Sequence, residues 1–209
     1  MILLDNKINN NITDDLLYKN SIPIGKKKIL IAAIELFYEQ GFDRTSTLQI
    51  AKRSGISEGT IYKHFRSKRG LLNAIIDPMI SNLLSNCNDS FIVDTDINIK
   101  EVISTMVKNK MDYIYNNRKI LKILMIELLT NDTIYSEVKS RCNANYPLIS
   151  SKIHMFLKGK NISDDDFLRT LVSDLLYGFF KMIFCNNYGR DQLKYEMEDI
   201  AEDVLNYIN

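Results

Sequence analysis

Four consecutive residues, Ser54-Gly55-Ile56-Ser57, constrain this chain more than any others, because they end one helix and begin the next with almost nothing between. Gly55 can take the left-handed backbone with which helices commonly terminate, Ile56 can anchor the turn in a core, and Ser57 carries the hydroxyl that caps a new helix. Upstream, Ser46 and Gln49 have the spacing of a capping box, so a helix is predicted from about Thr47, with Ile50 and Ala51 on its buried side. Downstream, Glu58 sits at the positive end of a helix expected to reach about Phe65, with Ile61 and Phe65 as its apolar stripe. Its other side carries Gly59, Thr60, Tyr62, Lys63 and His64, a set suited to phosphate oxygens and base edges in a major groove. Ser67 then caps a third helix. Lys68 and Arg69 fall in that helix's first turn, where cations oppose the dipole, and an external phosphate would account for them.

Charge is distributed to match. Residues 24–70 hold ten Lys or Arg against four Asp or Glu, whereas residues 71–209 hold fifteen against nineteen. A local cationic cluster releases counterions from a phosphate backbone even when the whole chain carries only +1. Each cluster taken alone, Lys26-Lys27-Lys28 or Lys52-Arg53, also reads as an ordinary solvated helix face. Beside the helix-turn-helix pattern, the nucleic-acid reading is the one adopted.

From about residue 26 to 75 the chain resembles the TetR family of one-component transcriptional regulators. The resemblance rests on the first helix Ile29-Leu-Ile-Ala-Ala-Ile-Glu-Leu-Phe37, on Gly41-Phe42, Ile50-Ala51 and Ser54-Gly55-Ile56-Ser57, and on Gly59-Thr60-Ile61-Tyr62, His64-Phe65, Ser67-Lys68 and Leu71-Leu72. It implies that Thr47 and Tyr62 contact phosphate, that Lys68 clamps a phosphate, and that Gly59, Thr60, Lys63 and His64 face the groove. The cap residues Ser46 and Ser57 complete the expected DNA-contacting set. Two positions depart from the family pattern: an aliphatic residue is usual where Thr47 stands, and a basic or small one where Glu58 stands. Glu58 either faces a cytosine amine or points away.

Only three prolines and eight glycines interrupt long stretches of 3.6-residue periodicity, and no alternating Val/Thr-rich run asks to be a strand. The fold class expected is all-α: an amino-terminal three-helix DNA-binding domain plus a larger helical effector-binding and dimerisation domain, about nine helices in total. The boundaries expected are a flexible arm over residues 1–23, the helix-turn-helix domain over 24–70 and the larger domain over 71–209. Cys87, Cys142 and Cys185 are odd in number and widely spaced, which suits a reducing cytoplasm. The amino terminus lacks the basic and apolar regions of a signal peptide, and no apolar run is long enough to span a bilayer.

In the larger half, Pro78 is expected either to kink the helix that begins at Lys68 or to stop and restart it. Ile99 to Ile114 forms an amphipathic helix, and Ile120 to Leu129 is apolar nearly all round, so that segment is expected in the middle of its domain. Glu127 within it reads either as a buried acid receiving a cationic ligand or as a rim glutamate. Ile134 to Phe156 marks a long helix expected to bend at Pro147, and Ser163 with Asp164, Asp165 and Asp166 caps the next. Three consecutive acids on a helix point in different directions, so they are not read as a metal site. That next helix has two apolar stripes. One, comprising Leu171, Leu175, Gly178, Phe179 and Met182, is assigned to a dimer surface, with Met197, Ile200 and Val204 of the final helix as its matching seam. The resemblance implies that the last two helices pair with their copies as a four-helix bundle. Tyr113, Met125, Glu127, Tyr146, Tyr177 and Phe180 are the residues expected to line a pocket for an apolar or aromatic effector.

With two histidines, no nucleophile-base pairing and no phosphate-cradling glycine loop, the chain offers no catalytic constellation, and it is read as neither an enzyme nor a cofactor or metal protein. The expectation is a homodimeric repressor of nearby genes that leaves its operator when an effector changes the spacing of two recognition helices from the roughly 34–36 Å of one DNA turn. The alternative is a helical interaction protein of the same fold, regulated by a protein partner.

Overall fold

The computed structural model describes residues 22–89, 99–160, 162–185 and 188–208, and among these it contains nine α-helices and no strand. They are α1 (Ile24–Gln40), α2 (Thr47–Ser54), α3 (Glu58–Phe65), α4 (Lys68–Asp89), α5 (Ile99–Asn116), α6 (Arg118–Thr130), α7 (Asp132–Phe156), α8 (Asp164–Phe184) and α9 (Arg190–Ile208). Residues 1–21 of the amino-terminal arm and the side chain of Cys87 lie outside the described residues, while Cys142 and Cys185 are exposed free thiols. Packing divides the chain into two compact units, one running to Ile80 and including Lys119–Asn131, the other comprising Ser81–Arg118 and Asp132–Asn209.

In the first unit α1 packs on α2 and α3, and α2 packs on α3. Its core contains Ile29, Leu30, Ala33 and Phe37 of α1, Ile50 of α2, Ile61 and Phe65 of α3, and Leu71, Leu72 and Ile75 of α4, each buried. Phe37 meets Phe42 edge to face, with centroids 5.3 Å apart, which closes the loop after α1 onto the helix it leaves. The α6 segment contributes Ile120, Leu121, Ile123 and Leu124 to the interior. Its expected burial on every side is not what forms: Ile126 is exposed and Leu129 is 82% accessible, so α6 is amphipathic and lies against one face only.

In the second unit α9 packs on both α5 and α8, α5 packs on α8, and α7 adds to α8. The interior is filled by Ile103, Met106, Val107 and Met111 of α5, Phe167, Leu171, Phe179 and Met182 of α8, and Leu193, Ile200, Val204 and Ile208 of α9. Lys181 donates to both oxygens of the buried Glu196 at 3.0 and 2.8 Å, tying α8 to α9. Of α8's two apolar stripes, the one expected at a dimer surface is therefore the one that faces its own chain. Leu171, Gly178, Phe179, Met182, Ile200 and Val204 are buried, and Leu175 and Met197 are partly so. Gly178 does permit a close approach, but to α5 of the same chain: a Cβ there would stand 2.7 Å from Cε of Met111. The outward stripe is the alternative one, with Val172, Leu176 and Phe180 exposed and the Phe180 and Phe184 rings stacked 6.0 Å apart.

Proline does not break the two helices that contain it. Pro78 lies inside an uninterrupted α4 and Pro147 inside an uninterrupted α7, so the stop-and-restart reading at Pro78 does not hold. The Ser163 cap forms as expected: its hydroxyl accepts the Asp166 amide at 3.1 Å, and Asp164, Asp165 and Asp166 occupy the first turn of α8. Among the described residues no cluster of His, Cys, Asp and Glu could hold a metal ion, and no helix is long and apolar enough to cross a membrane.

Candidate nucleic-acid interface

The local chemistry of residues 45 to 70 fixes where two helices start and stop. The Ser46 hydroxyl accepts the Gln49 amide at 3.2 Å and the Gln49 side chain accepts the Ser46 amide at 2.8 Å, so the capping box closes in both directions. Gly55 ends α2 in the left-handed region, at φ 69° and ψ 20°. Ser57 restarts the chain as α3 by accepting the Thr60 amide at 3.3 Å, while its hydroxyl also pairs with that of Thr60 at 2.8 Å. Ile61 and Phe65 face inward, which sends Gly59, Tyr62, Lys63 and His64 to solvent on the opposite side. Nothing lies within 4 Å of where a Gly59 Cβ would be, so backbone and side chains here are open to a large partner.

Beyond α3 the chain reverses sharply. Arg66 holds φ 64°, a conformation that costs a side-chain-bearing residue about 1 kcal/mol. The Ser67 hydroxyl accepts the Gly70 amide at 2.9 Å and starts α4. Gly70 is needed there, since a Cβ would fall 2.1 Å from the Phe65 carbonyl oxygen.

The nine residues expected to touch DNA do not all point the same way. Ser46, Ser57, Gly59, Tyr62, Lys63 and His64 are exposed, and Thr60 is partly so. Thr47 is buried and spends its hydroxyl on the Glu58 carboxylate at 2.5 Å, with the Tyr62 phenol 3.2 Å away. Lys68 turns inward. Its ammonium donates to the carbonyls of Phe42, Asp43 and Thr45 at 2.9, 3.4 and 2.9 Å and lies 4.3 Å from the Phe42 ring centre. All three of its donors are thus taken, and it fastens the loop preceding α2 to the start of α4. Arg69 lies 4.3 Å from the same Phe42 ring and donates to Glu127 at 2.7 Å. The cations that oppose the α4 dipole therefore have partners within the chain.

Part of the positive charge counted in the sequence is likewise committed. Arg53 bonds Glu35 at 3.1 Å and Glu39 at 3.0 Å. That bond holds the Glu39 carboxyl below its ordinary range and, with Glu35, raises the arginine. The cations of this unit left pointing outward from the helix-turn-helix include Lys52, Lys63 and Arg66.

The residues expected around an effector are distributed differently. Met125 and Glu127 belong to the first unit, and Tyr113, Tyr146, Tyr177 and Phe180 to the second. Tyr113 is buried in the core, Tyr146 donates to Asp165 at the surface, and Tyr177 and Phe180 are exposed. Glu127 is buried, and the cation it meets is Arg69, with Asn131 Nδ2 at 3.4 Å. Sequence periodicity found neither this pair nor the Lys68 fastening, because each joins residues too far apart for a local pattern.

Residues 29–75 match the family model described as bacterial regulatory proteins, tetR family. The HTH-type regulator YvkB of Bacillus subtilis is 39% identical over 56 residues, 27% of this chain and 30% of its own. UidR of Escherichia coli, an HTH-type transcriptional regulator, is 26% identical over 171 residues, covering 79% of this chain and 85% of the relative. The chain spans only about a third of the length of the first curated relatives it matches, at 30%, 36% and 36%. Among solved structures, the fatty acid degradation regulator FadR of Bacillus halodurans superposes with a TM-score of 0.68 at 14% identity, covering 87% of this chain and 94% of the other. At that identity the likeness establishes the fold.

Proposed function

Because this chain belongs to the tetR family of bacterial regulatory proteins, which its residues 29–75 match, we propose that it is a sequence-specific DNA-binding regulator of transcription, working as a homodimer in the cytoplasm. The observation that carries the reading is the outward side of α3. Gly59, Tyr62, Lys63 and His64 stand open on a helix whose opposite side is locked into the core by Ile61 and Phe65, and serine caps fix both helix starts. Such a helix can enter a major groove with its side chains already oriented. Lys63 and His64 read base edges, Ser46, Ser57, Thr60 and Tyr62 hold backbone, and Lys68 positions the surface rather than touching phosphate.

One helix of this length reads too few base pairs for a unique site, so two copies are needed. The exposed stripe of α8, Val172, Leu176, Phe180 and Phe184, supports self-association through that helix. We further propose that the protein represses nearby genes and is released by a small apolar or aromatic molecule. The Arg69–Glu127 bond supports such a switch, because it links α6 to the first turn of α4, beside the lysine that fixes the loop before α2. An effector acts only if it prefers one of two arrangements of these elements.

Selecting bound fragments from the source genome's DNA tests the reading. The expected result is recovery of a short pseudo-palindromic sequence, protein binding as a dimer by mass, and loss of binding when the right effector is added. Failure to retard any double-stranded DNA at low salt would contradict it.

A further inference from the structure

Glu58 opens α3, where a carboxylate suits the helix dipole, yet it does not cap the helix, because Ser57 already accepts the Thr60 amide. Its Oε1 instead accepts the Thr47 hydroxyl at 2.5 Å, and the Thr47 oxygen stands 3.2 Å from the Tyr62 phenol. A threonine hydroxyl has one proton. Given to Glu58, that proton is no longer offered to anything outside the chain. The phenol, on a side chain 46% accessible, is left as the pair's donor. A DNA phosphate arriving beside Thr47 and Tyr62 would have to turn the Thr47 hydroxyl off Glu58, which would leave two anions on either side of one oxygen. Like charges at that separation repel even where water partly screens them.

Resting on the DNA-binding reading above, we propose that Glu58 is a brake on phosphate binding: it withdraws the Thr47 hydroxyl from the DNA backbone and sets a carboxylate beside the donor that remains. The brake limits the sequence-independent part of affinity, which comes almost wholly from phosphate contacts. Base reading by α3 then carries a larger share of the total. A purely structural clasp between α2 and α3 would make a different prediction, since it would tie DNA affinity to stability and not to charge.

Glu58→Gln separates the two. The amide can either accept from Thr47 or donate to it, so the Thr47 hydroxyl can turn to a phosphate without losing its partner, and the charge is removed. Binding is read by fluorescence anisotropy on a labelled random-sequence duplex over a range of salt, with thermal unfolding run in parallel. Glu58→Gln is expected to tighten binding roughly 3- to 10-fold and to steepen the salt dependence by about one counterion. Thr47→Val should leave the affinity of the natural protein nearly unchanged but weaken the Glu58→Gln protein, a non-additivity that a structural clasp does not produce. Unchanged affinity in Glu58→Gln, or an equal loss from Thr47→Val in both backgrounds, would overturn the brake while leaving the DNA-binding reading intact. Absence of duplex binding by the folded natural protein and every variant would remove both.

Discussion

The two units of this molecule are both made of amphipathic helices and both contain a glycine where helices meet, yet the two glycines meet different neighbours. At Gly70 the opposing atom is a backbone carbonyl oxygen, 2.1 Å from a would-be Cβ. At Gly178 it is the terminal methyl of a flexible methionine, at 2.7 Å. Around Gly70 the chain is fixed by hydrogen bonds between main chain and named side chains, whereas around Gly178 it is fixed by apolar side chains that can adjust. A region meant to hold donors in register against a duplex needs the first kind of construction.

The contrast can be broken most sharply at those glycines. Gly70→Ala is expected to cost roughly 2–4 kcal/mol in denaturant unfolding, since neither α3 nor the start of α4 can yield without losing the Ser67 cap. Gly178→Ala should stay within about 1 kcal/mol of the natural protein, because the gain in helix propensity offsets the displacement of the Met111 methyl. Equal losses at both positions would erase the distinction.

Removing the Arg69 guanidinium is the next largest effect. Arg69→Met leaves the buried Glu127 carboxylate with only Asn131 beside it, at a cost of about 2–3 kcal/mol. Glu127→Gln, which keeps a neutral acceptor, should cost clearly less. A titration of stability with urea for both variants orders them, and the reverse order would show that the pair does not anchor α6.

The smallest effect concerns Tyr188 in the second unit. Among the described residues its buried hydroxyl has no hydrogen-bond partner, and burial, reinforced by Glu196, pushes its pKa up to about 12. The unfolded phenol ionises near about 10, so unfolding releases a proton in the interval between. Stability from this group is complete below about pH 10 and is lost as pH rises toward about 12. Tyr188→Phe should flatten that alkaline loss and leave neutral-pH stability equal or up to about 1 kcal/mol higher. An undiminished alkaline transition in the variant would assign it elsewhere.

What could be read in the chain beforehand follows the same division. Ser46 with Gln49, Gly55, Ser57 and Ser163 with its aspartates were legible because a cap is settled by residues three or four apart. Lys68 was not, since its carbonyl partners are 23 to 26 residues upstream, and Arg69 finds Glu127 at a separation of 58. Two positions at odds with the family pattern, Thr47 and Glu58, are each other's partners, a relation that neither residue announces alone. On α8 both stripes are apolar, so periodicity revealed that two faces existed without telling which one the chain covers itself. Burial against Met111 and Ile200 assigns the Gly178 stripe to the interior.

On the proposed reading, α3 presents Lys63 to a duplex while Lys68 holds the surface from within. Lysine acetylation mapped by mass spectrometry, with and without a bound duplex, tests it most directly. Lys63 is expected to react readily in the free protein and to be protected by DNA, and Lys68, its ammonium already donated to three carbonyls, to react slowly in both. Lys63 reacting equally in the presence of bound DNA, or Lys68 reacting freely until DNA covers it, would contradict the account.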